Sequence, residues 1–178
     1  MDFWLSDERW VPWDDERSNG RQAEEALTSH VEARLHRPRY SEHLSPDESA
    51  VRYEAELRGL FPDGDPDLVM LGMGHDGHTA SLFPGTDALE ERSRWYVANH
   101  VPQVDMWRLT ATYPLLWSAK TVLVLVAGED KAEMIAQVFA GSADVPIARL
   151  SESKGQVIWM LDRPAASQLS PDQITEYG

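Results

Sequence analysis

The residues best suited to chemistry lie in one segment, Gly-Met-Gly-His-Asp-Gly-His-Thr-Ala-Ser-Leu-Phe-Pro-Gly at 72–85. Within it, His78 follows Asp76 by two residues, directly after an apolar run that predicts a strand. A histidine beside a carboxylate in a loop at a strand end favours general acid–base catalysis. His75 and His78 could also ligate a metal ion, but the chain has no cysteine and no third ligand stands nearby. We therefore expect His78 to be the acid–base residue and His75 to be exposed.

The glycines of this segment let the backbone turn tightly and approach a ligand. Gly72, Gly74 and Gly77 also have the Gly-x-Gly-x-x-Gly spacing of dinucleotide-binding loops. Such a site needs a full helix after the loop and an acidic residue for the ribose. Pro84 and Gly85 interrupt the chain too early for that helix, so the spacing favours a turn near a small ligand over a nicotinamide cofactor.

Three cationic side chains stand beside other predicted strands. Arg9 follows the first apolar run and could bind phosphate or orient a carboxylate, or pair with an acidic neighbour on the surface. Arg108 lies in a strand with two hydroxyl residues, and Lys131 opens a helix after the central strand. Each cation alone is more often a solvated charge, but together an arginine and a lysine at strand ends suit a phosphate.

Strand-like and helix-like patterns alternate along the chain. Apolar runs predict strands at 3–5, 67–72, 94–99, 108–112, 122–127 and 156–161. Helical spacing predicts helices from 18 or 19 to about 36, after the cap at Ser45, and at 130–139. This order indicates an α/β fold with a mainly parallel sheet. Ligands bind at the carboxyl ends of such strands, which directs attention to the loops after Leu5, Leu71 and Ala127.

Composition excludes several classes of protein. The 178 residues contain 30 Asp and Glu but 16 Lys and Arg, which gives a net charge of −14. This acidity argues against binding to nucleic acid or to an anionic membrane. The absence of cysteine excludes disulfides, thiolate catalysis and cysteine-ligated zinc. No targeting or membrane-spanning pattern is visible, so we expect a cytoplasmic protein.

The chemistry-bearing segments together resemble those of the 6-phosphogluconolactonase family. The similar parts are Asp-Glu-Arg-Trp-Val-Pro at 7–12 with Ser18 and Asn19, the glycine segment at 71–85, Arg-Leu-Thr-Ala-Thr at 108–112, and Gly-Glu-Asp-Lys at 128–131. Their order and spacing agree over essentially the whole chain. The resemblance implies a mainly parallel sheet flanked by helices on both faces, similar to glucosamine-6-phosphate deaminase and ribose-5-phosphate isomerase.

The resemblance also implies a reaction and roles for individual residues. The reaction is hydrolysis of 6-phospho-D-glucono-1,5-lactone to 6-phosphogluconate in the oxidative pentose phosphate pathway, without metal or cofactor. His78 would activate a water, Asp76 would orient the site, and Arg9 would position the lactone. Arg108 and Lys131 would hold the phosphate. The other substrate-binding residues implied are Asp7, Gly72, Gly74, Gly77 and Thr79.

One departure from the family pattern is visible. Family members usually begin earlier, with a strand, a helix and a Gly-Gly-Ser-Thr-Pro-like loop that contacts the sugar phosphate, and this sequence has no such loop. We therefore expect residues 1–178 to form a single domain that is incomplete at its N-terminus, with sheet surface or an edge left uncovered. The sequence does not predict the oligomeric state.

Three alternatives to a lactonase remain open. An amino-sugar phosphate deaminase/isomerase has the same Asp-Gly-His turn, but deaminases continue towards Asn-Glu-Pro, unlike residues 79–85 here. A chain that lacks the phosphate loop could instead be a non-catalytic sugar-phosphate-binding remnant. The 7 tryptophans could also serve a partner-binding scaffold, although aromatic residues of this kind usually fill the core.

Overall fold

The computed structural model describes residues 1–174, which form eight strands and four α-helices. The strands are β1 (Asp2–Trp4), β2 (Asp7–Arg9), β3 (Arg34–His36), β4 (Leu68–Leu71), β5 (Tyr96–Val101), β6 (Met106–Ala111), β7 (Thr121–Val126) and β8 (Gln156–Leu161). The helices are α1 (Asn19–Ala23), α2 (Pro46–Leu60), α3 (Tyr113–Leu116) and α4 (Ala132–Phe139). Within the described part of the chain, no helix is long and apolar enough to cross a membrane.

The strands form three small sheets. β4, β7 and β8 make a parallel sheet in the order β4–β7–β8, and β1 pairs with β3 in a second parallel sheet. The third sheet, β2–β6–β5, is antiparallel. The predicted α/β class with parallel sheets flanked by helices is confirmed, while the separate antiparallel sheet was not predicted.

Helix α2 forms where the sequence predicts it. The Ser45 hydroxyl accepts a hydrogen bond from the Glu48 backbone N–H, and the Glu48 carboxylate accepts one from the Ser45 N–H. This reciprocal pair satisfies two donors that the first turn would otherwise leave free. Ala50, Tyr53 and Leu57 line the inner face and are 0–2% exposed, so α2 packs directly into the core.

The helix predicted from 18 or 19 to about 36 is much shorter in the structure. Ser18 caps α1, which therefore begins where the sequence predicts it, but after Ala23 the chain makes only one wider, π-helical turn, Glu24–Thr28. Leu27 and Val31, which the helical pattern assigns to an apolar face, are 44% and 48% exposed. The residues of β3 pair with β1 instead, so a contact between distant segments ends the helix.

The parallel sheet β4–β7–β8 buries one face and exposes the other. Side chains alternate between the two faces of a strand, so a continuous apolar run such as 67–72 does not bury all of its side chains here. Met70, for example, is 54% exposed while Val69 beside it is 2% exposed. The strand register puts the exposed side chains on one side of the sheet. This open face consists of Leu68, Met70, Leu123, Leu125, Ile158 and Met160.

Hydrogen bonds of the His36 side chain connect β1 and β3 to α2. His36 lies between two carboxylates, with Nε2 2.8 Å from Asp2 Oδ1 and Nδ1 2.6 Å from Glu56 Oε1. Burial alone lowers the pKa of His36, but the hydrogen bonds to the two carboxylates outweigh burial and raise it above its ordinary value. Nearby, the buried Tyr53 hydroxyl accepts from the Leu5 N–H and donates to the His36 carbonyl, each at 2.9 Å.

Candidate active site

A cavity of about 380 Å³ opens at the carboxyl end of β4, where the fold class predicts a ligand site. One wall comes from β2 and its surroundings and includes Asp7, Arg9 and Asn19. The other wall comes from the glycine segment. Its cavity-lining residues are Gly72, Met73, Gly74, His78 and Ala80. The fold therefore brings the first and second chemistry-bearing segments of the sequence together around one space.

Asp76 and His78 form a hydrogen-bonded pair. His78 Nδ1 lies 2.6 Å from Asp76 Oδ1, which also accepts the His78 backbone N–H at 3.2 Å. Partial burial by itself raises the pKa of Asp76, but the hydrogen bonds from His78 outweigh it and lower that pKa below its usual value. An ionised carboxylate can only accept, so the Nδ1 of a neutral His78 carries the proton and Nε2 remains free to act as a base.

Two further residues fix the imidazole ring. The Phe83 ring stacks on His78 with a centroid separation of 3.8 Å and an interplanar angle of 20°, and Phe83 is only 6% exposed. The Gly74 backbone lies against the ring, because a Cβ at this position would overlap the His78 ring. The Gly74 N–H also donates to the His78 carbonyl at 2.9 Å. The ring is therefore held at one edge by Asp76 and packed against Gly74 and Phe83.

The remaining residues of the glycine segment shape the loop. Gly77 has a φ of +73°, and a Cβ there would overlap Val145. The buried Thr79 hydroxyl donates to the Gly72 carbonyl at 2.9 Å, so it stabilises the conformation of the loop. Ala80 lines the cavity with a φ of +48°, a left-handed conformation that is unusual for a residue with a Cβ. Gly77 and Thr79 thus support the site without lining the cavity.

Asp7 joins β2 to the glycine segment. Its Oδ2 accepts a hydrogen bond from the Ser81 hydroxyl at 2.7 Å, and its Oδ1 accepts from Asn19 Nδ2 at 3.1 Å. Ser81 is 1% exposed. Asp7 was predicted as a substrate-binding residue, whereas the role of Ser81 was missed because its partner stands 74 residues away in sequence.

Glu8 is a second residue that sequence reasoning missed. Its carboxylate is 6% exposed and accepts hydrogen bonds from four donors. They are the Ser18 hydroxyl and the backbone N–H groups of Arg9, Asn19 and Gly20, at 2.7–2.9 Å. A carboxylate at a helix N-terminus is favoured by the free N–H groups and the helix dipole. Glu8 therefore fixes the start of α1 against β2 and, with it, the position of Asn19.

Arg9 and Arg108 face each other across the β2–β6 pair. The Nε atoms of both side chains are buried and lack a hydrogen-bond partner within the described residues. Burial, with a smaller contribution from the Arg9 charge, lowers the pKa of Arg108. The acidic neighbour Asp15 pairs with Arg17 at 2.6 Å, so it does not neutralise Arg9. Two adjacent guanidinium groups with free donors favour an anionic ligand.

Lys131 lies at the same end of the parallel sheet, in a short 3₁₀ turn, Glu129–Lys131, after β7. Asp130 connects this turn to the glycine segment, because its Oδ2 is 3.2 Å from His75 Nδ1 and 3.7 Å from Lys131 Nζ. The His75 side chain is 76% exposed, as predicted. Neither Lys131 nor Arg108 is part of the cavity lining, whereas Arg9 lines the same cavity as His78.

Within residues 1–174, no group of three or more His, Asp or Glu side chains is arranged to hold a metal ion. The fold brings charged groups to the cavity, among them the Asp76–His78 pair and Arg9.

Comparison with known proteins agrees with the resemblance read from the motifs. A family model described as glucosamine-6-phosphate isomerases/6-phosphogluconolactonase matches residues 1–159. The 6-phosphogluconolactonase of Synechocystis sp. is 41% identical over 181 aligned residues, which cover 95% of this chain and 73% of the relative.

Solved structures give the same picture. The 6-phosphogluconolactonase from Trypanosoma cruzi is 29% identical, with a TM-score of 0.82, over 93% of this chain and 71% of that protein. A monomeric glucosamine-6-phosphate deaminase is similar in fold, with a TM-score of 0.75 at 24% identity over 93% of this chain and 73% of that protein. The chain therefore belongs to the glucosamine-6-phosphate isomerase/6-phosphogluconolactonase family.

Proposed function

We propose that this chain hydrolyses 6-phospho-D-glucono-1,5-lactone to 6-phosphogluconate, in the oxidative pentose phosphate pathway. The observation that carries the proposal is the Asp76–His78 pair, whose free Nε2 belongs to a residue that lines the cavity. The printed name of the Synechocystis relative, 6-phosphogluconolactonase, supports the same activity. The substrate is a small phosphorylated sugar lactone, and the reaction uses no cofactor.

The reaction begins with a water molecule bound near His78. His78 Nε2 accepts a proton from the water as its oxygen attacks the C1 carbonyl, and the carbonyl oxygen takes up the negative charge. The bond between C1 and the ring oxygen then breaks, and the imidazolium returns its proton to that oxygen. Asp76 keeps the ring oriented and stabilises its charged form. A positioned base of this kind contributes about 10²–10⁴-fold to the rate.

In the proposed mechanism, the cationic side chains contact opposite ends of the substrate. Arg9 lines the same cavity as His78, which supports a role in positioning or polarising the lactone. Arg108 and Lys131 are the proposed phosphate ligands. Arg108 lies opposite Arg9 with a free Nε–H, and the turn that carries Lys131 contacts the glycine segment through Asp130 and His75. Asp7, Gly72 and Gly74 line the cavity, which supports their proposed role in binding the substrate.

Replacing His78 by Ala tests the proposal. We expect lactone hydrolysis to fall by about 10²–10⁴-fold while the circular dichroism spectrum stays unchanged. His75→Ala is the matched control, because it removes an exposed histidine from the same segment and should leave turnover intact.

Other outcomes would contradict the proposal. Parent-like turnover by the His78→Ala variant would remove His78 from the mechanism. Ammonia release from glucosamine 6-phosphate would favour the deaminase alternative. Binding of 6-phosphogluconate by the parent chain without any lactone hydrolysis would favour the non-catalytic alternative.

A further inference from the structure

A second cavity, of about 350 Å³, lies on the other side of β2. Neighbouring side chains of a strand point to opposite faces. Asp7 lines the first cavity, whereas Glu8 and Trp10 line the second, and Arg9 borders both. The second cavity therefore has its own walls and does not contain the Asp76–His78 pair. Its volume is within the range of small-molecule sites in proteins.

Aromatic rings and arginines form much of its wall. Trp10 and Tyr40 contact each other with ring centroids 4.8 Å apart and planes tilted by 53°. The Arg37 guanidinium stacks on the Trp13 ring, and Arg39 lines the same space. We call this space the aromatic–arginine cavity and define it by these five residues. Flat rings bind planar groups well, and guanidinium groups bind phosphate and carboxylate.

The positive charges of this cavity are available to a ligand. Within residues 1–174, neither Arg37 nor Arg39 makes an ion pair with a carboxylate. Burial lowers the pKa of Arg37. Two carboxylates line the cavity, but both have partners. Glu8 accepts four hydrogen bonds at the start of α1, and Glu56 pairs with His36 at 2.6 Å. Three arginines, Arg9, Arg37 and Arg39, line the cavity against these two carboxylates, so its wall carries an excess of positive charge in a chain whose net charge is −14.

We propose that the aromatic–arginine cavity binds a small anion that carries a planar ring, of the class of mononucleotides. The ring packs against Trp10 and Tyr40, and the phosphate accepts hydrogen bonds from Arg37 and Arg39. This binding does not depend on the proposed lactonase activity, because the cavity shares only Arg9 with the candidate active site.

Calorimetric titration of the parent chain with AMP tests the proposal, with tryptophan fluorescence as a second readout. We expect saturable AMP binding that quenches the emission of Trp10 and Trp13. Adenosine, which lacks the phosphate, should bind at least about tenfold more weakly because it loses the hydrogen bonds to the arginines. Ribose 5-phosphate should also bind at least about tenfold more weakly, because it has no ring to pack against the aromatic side chains.

Matched variants identify the site. Arg39→Gln and Arg37→Gln should each weaken AMP binding by about tenfold or more. Arg39 is exposed, so the Arg39→Gln variant should fold normally. It therefore tests the site even where loss of the Arg37–Trp13 contact unfolds the Arg37→Gln variant. Arg163→Gln makes the same change of charge at an exposed position outside the cavity and should leave affinity unchanged.

Two results would overturn the proposal. One is the absence of saturable AMP binding by the parent chain. The other is AMP binding that is insensitive to both arginine substitutions, because it would have to occur elsewhere. Lactone hydrolysis is measured separately, so failure of the lactonase proposal and failure of this one give different results.

Discussion

At the scale of single residues, the orientation of His78 is set by three contacts of different kinds. Asp76 holds Nδ1 by a hydrogen bond, Phe83 covers one face of the ring, and the Gly74 backbone lies close to the ring where a side chain would collide with it. A general base contributes most when its lone pair is held near the reacting proton before the substrate arrives. The geometry around His78 therefore matters as much as the presence of an imidazole.

Gly74→Ala tests this geometry without removing a functional group. A Cβ at this position overlaps the His78 ring, so we expect the ring to turn away from Asp76 and kcat to fall by about 10²-fold. Gly59→Ala is the control, because a Cβ there meets nothing within 4 Å. That change in α2 should keep activity and add up to about 1 kcal/mol of stability. Unchanged kcat in the Gly74→Ala variant would show that the ring tolerates displacement.

At the scale of elements, His36 connects β1, β3 and α2 through Asp2 and Glu56. The folded pKa of His36 is raised, so the folded state binds this proton more tightly than the unfolded state. The resulting stabilisation is fully present below the ordinary histidine pKa of about 6.5 and is lost as pH rises through the raised value. The pKa of Asp2 is lowered, mainly by its hydrogen bond to His36, so its contribution disappears in acid.

The His36→Gln variant tests this connection through the pH dependence of its melting temperature. We expect the variant to melt below the parent at about pH 6, with a difference that shrinks towards pH 9 as the pH rises through the raised pKa of His36. His43→Gln, at an exposed position, should match the parent at both pH values. A difference that stays constant with pH would mean that His36 contributes by packing alone.

The elements also indicate where sequence reasoning succeeds. Helix α2 begins as predicted because its start depends on Ser45 and Glu48, which are three residues apart. The helix predicted up to about residue 36 ends early because Leu35 pairs with Phe3, a contact that no local pattern contains. In the site, Asp76 and His78 are neighbours and were predicted together. The contribution of Ser81 depends on Asp7, far away in the sequence, and could be known only from the fold.

At the scale of the whole molecule, the open face of the β4–β7–β8 sheet is the most unusual surface. Parallel sheets are normally covered on both faces, yet Met70 and Met160 are 54% and 55% exposed here. Contiguous exposed apolar patches are uncommon on soluble monomers and take up apolar molecules. The protein therefore has a strongly acidic net charge of −14 and, in addition, one apolar face.

Dye binding tests the open face. The parent chain should enhance the fluorescence of the apolar dye ANS, and the double substitution Met70→Thr with Met160→Thr should reduce that signal. Each substitution should change the free energy of unfolding by no more than about 0.5 kcal/mol, because both side chains are exposed. Val51→Thr, which changes a 53% exposed side chain on α2, is the control. Equal dye binding by the parent and the double variant would contradict the prediction.

The open face also has a consequence for the thermodynamics of unfolding. Heat capacity rises on unfolding because apolar surface becomes hydrated, but the side chains of this face are already in contact with water in the folded chain. The increase in heat capacity and the urea m value should therefore fall below those of a chain of equal length whose sheet is covered on both sides. A smaller heat-capacity change flattens the dependence of stability on temperature, so this molecule should lose comparatively little stability on cooling.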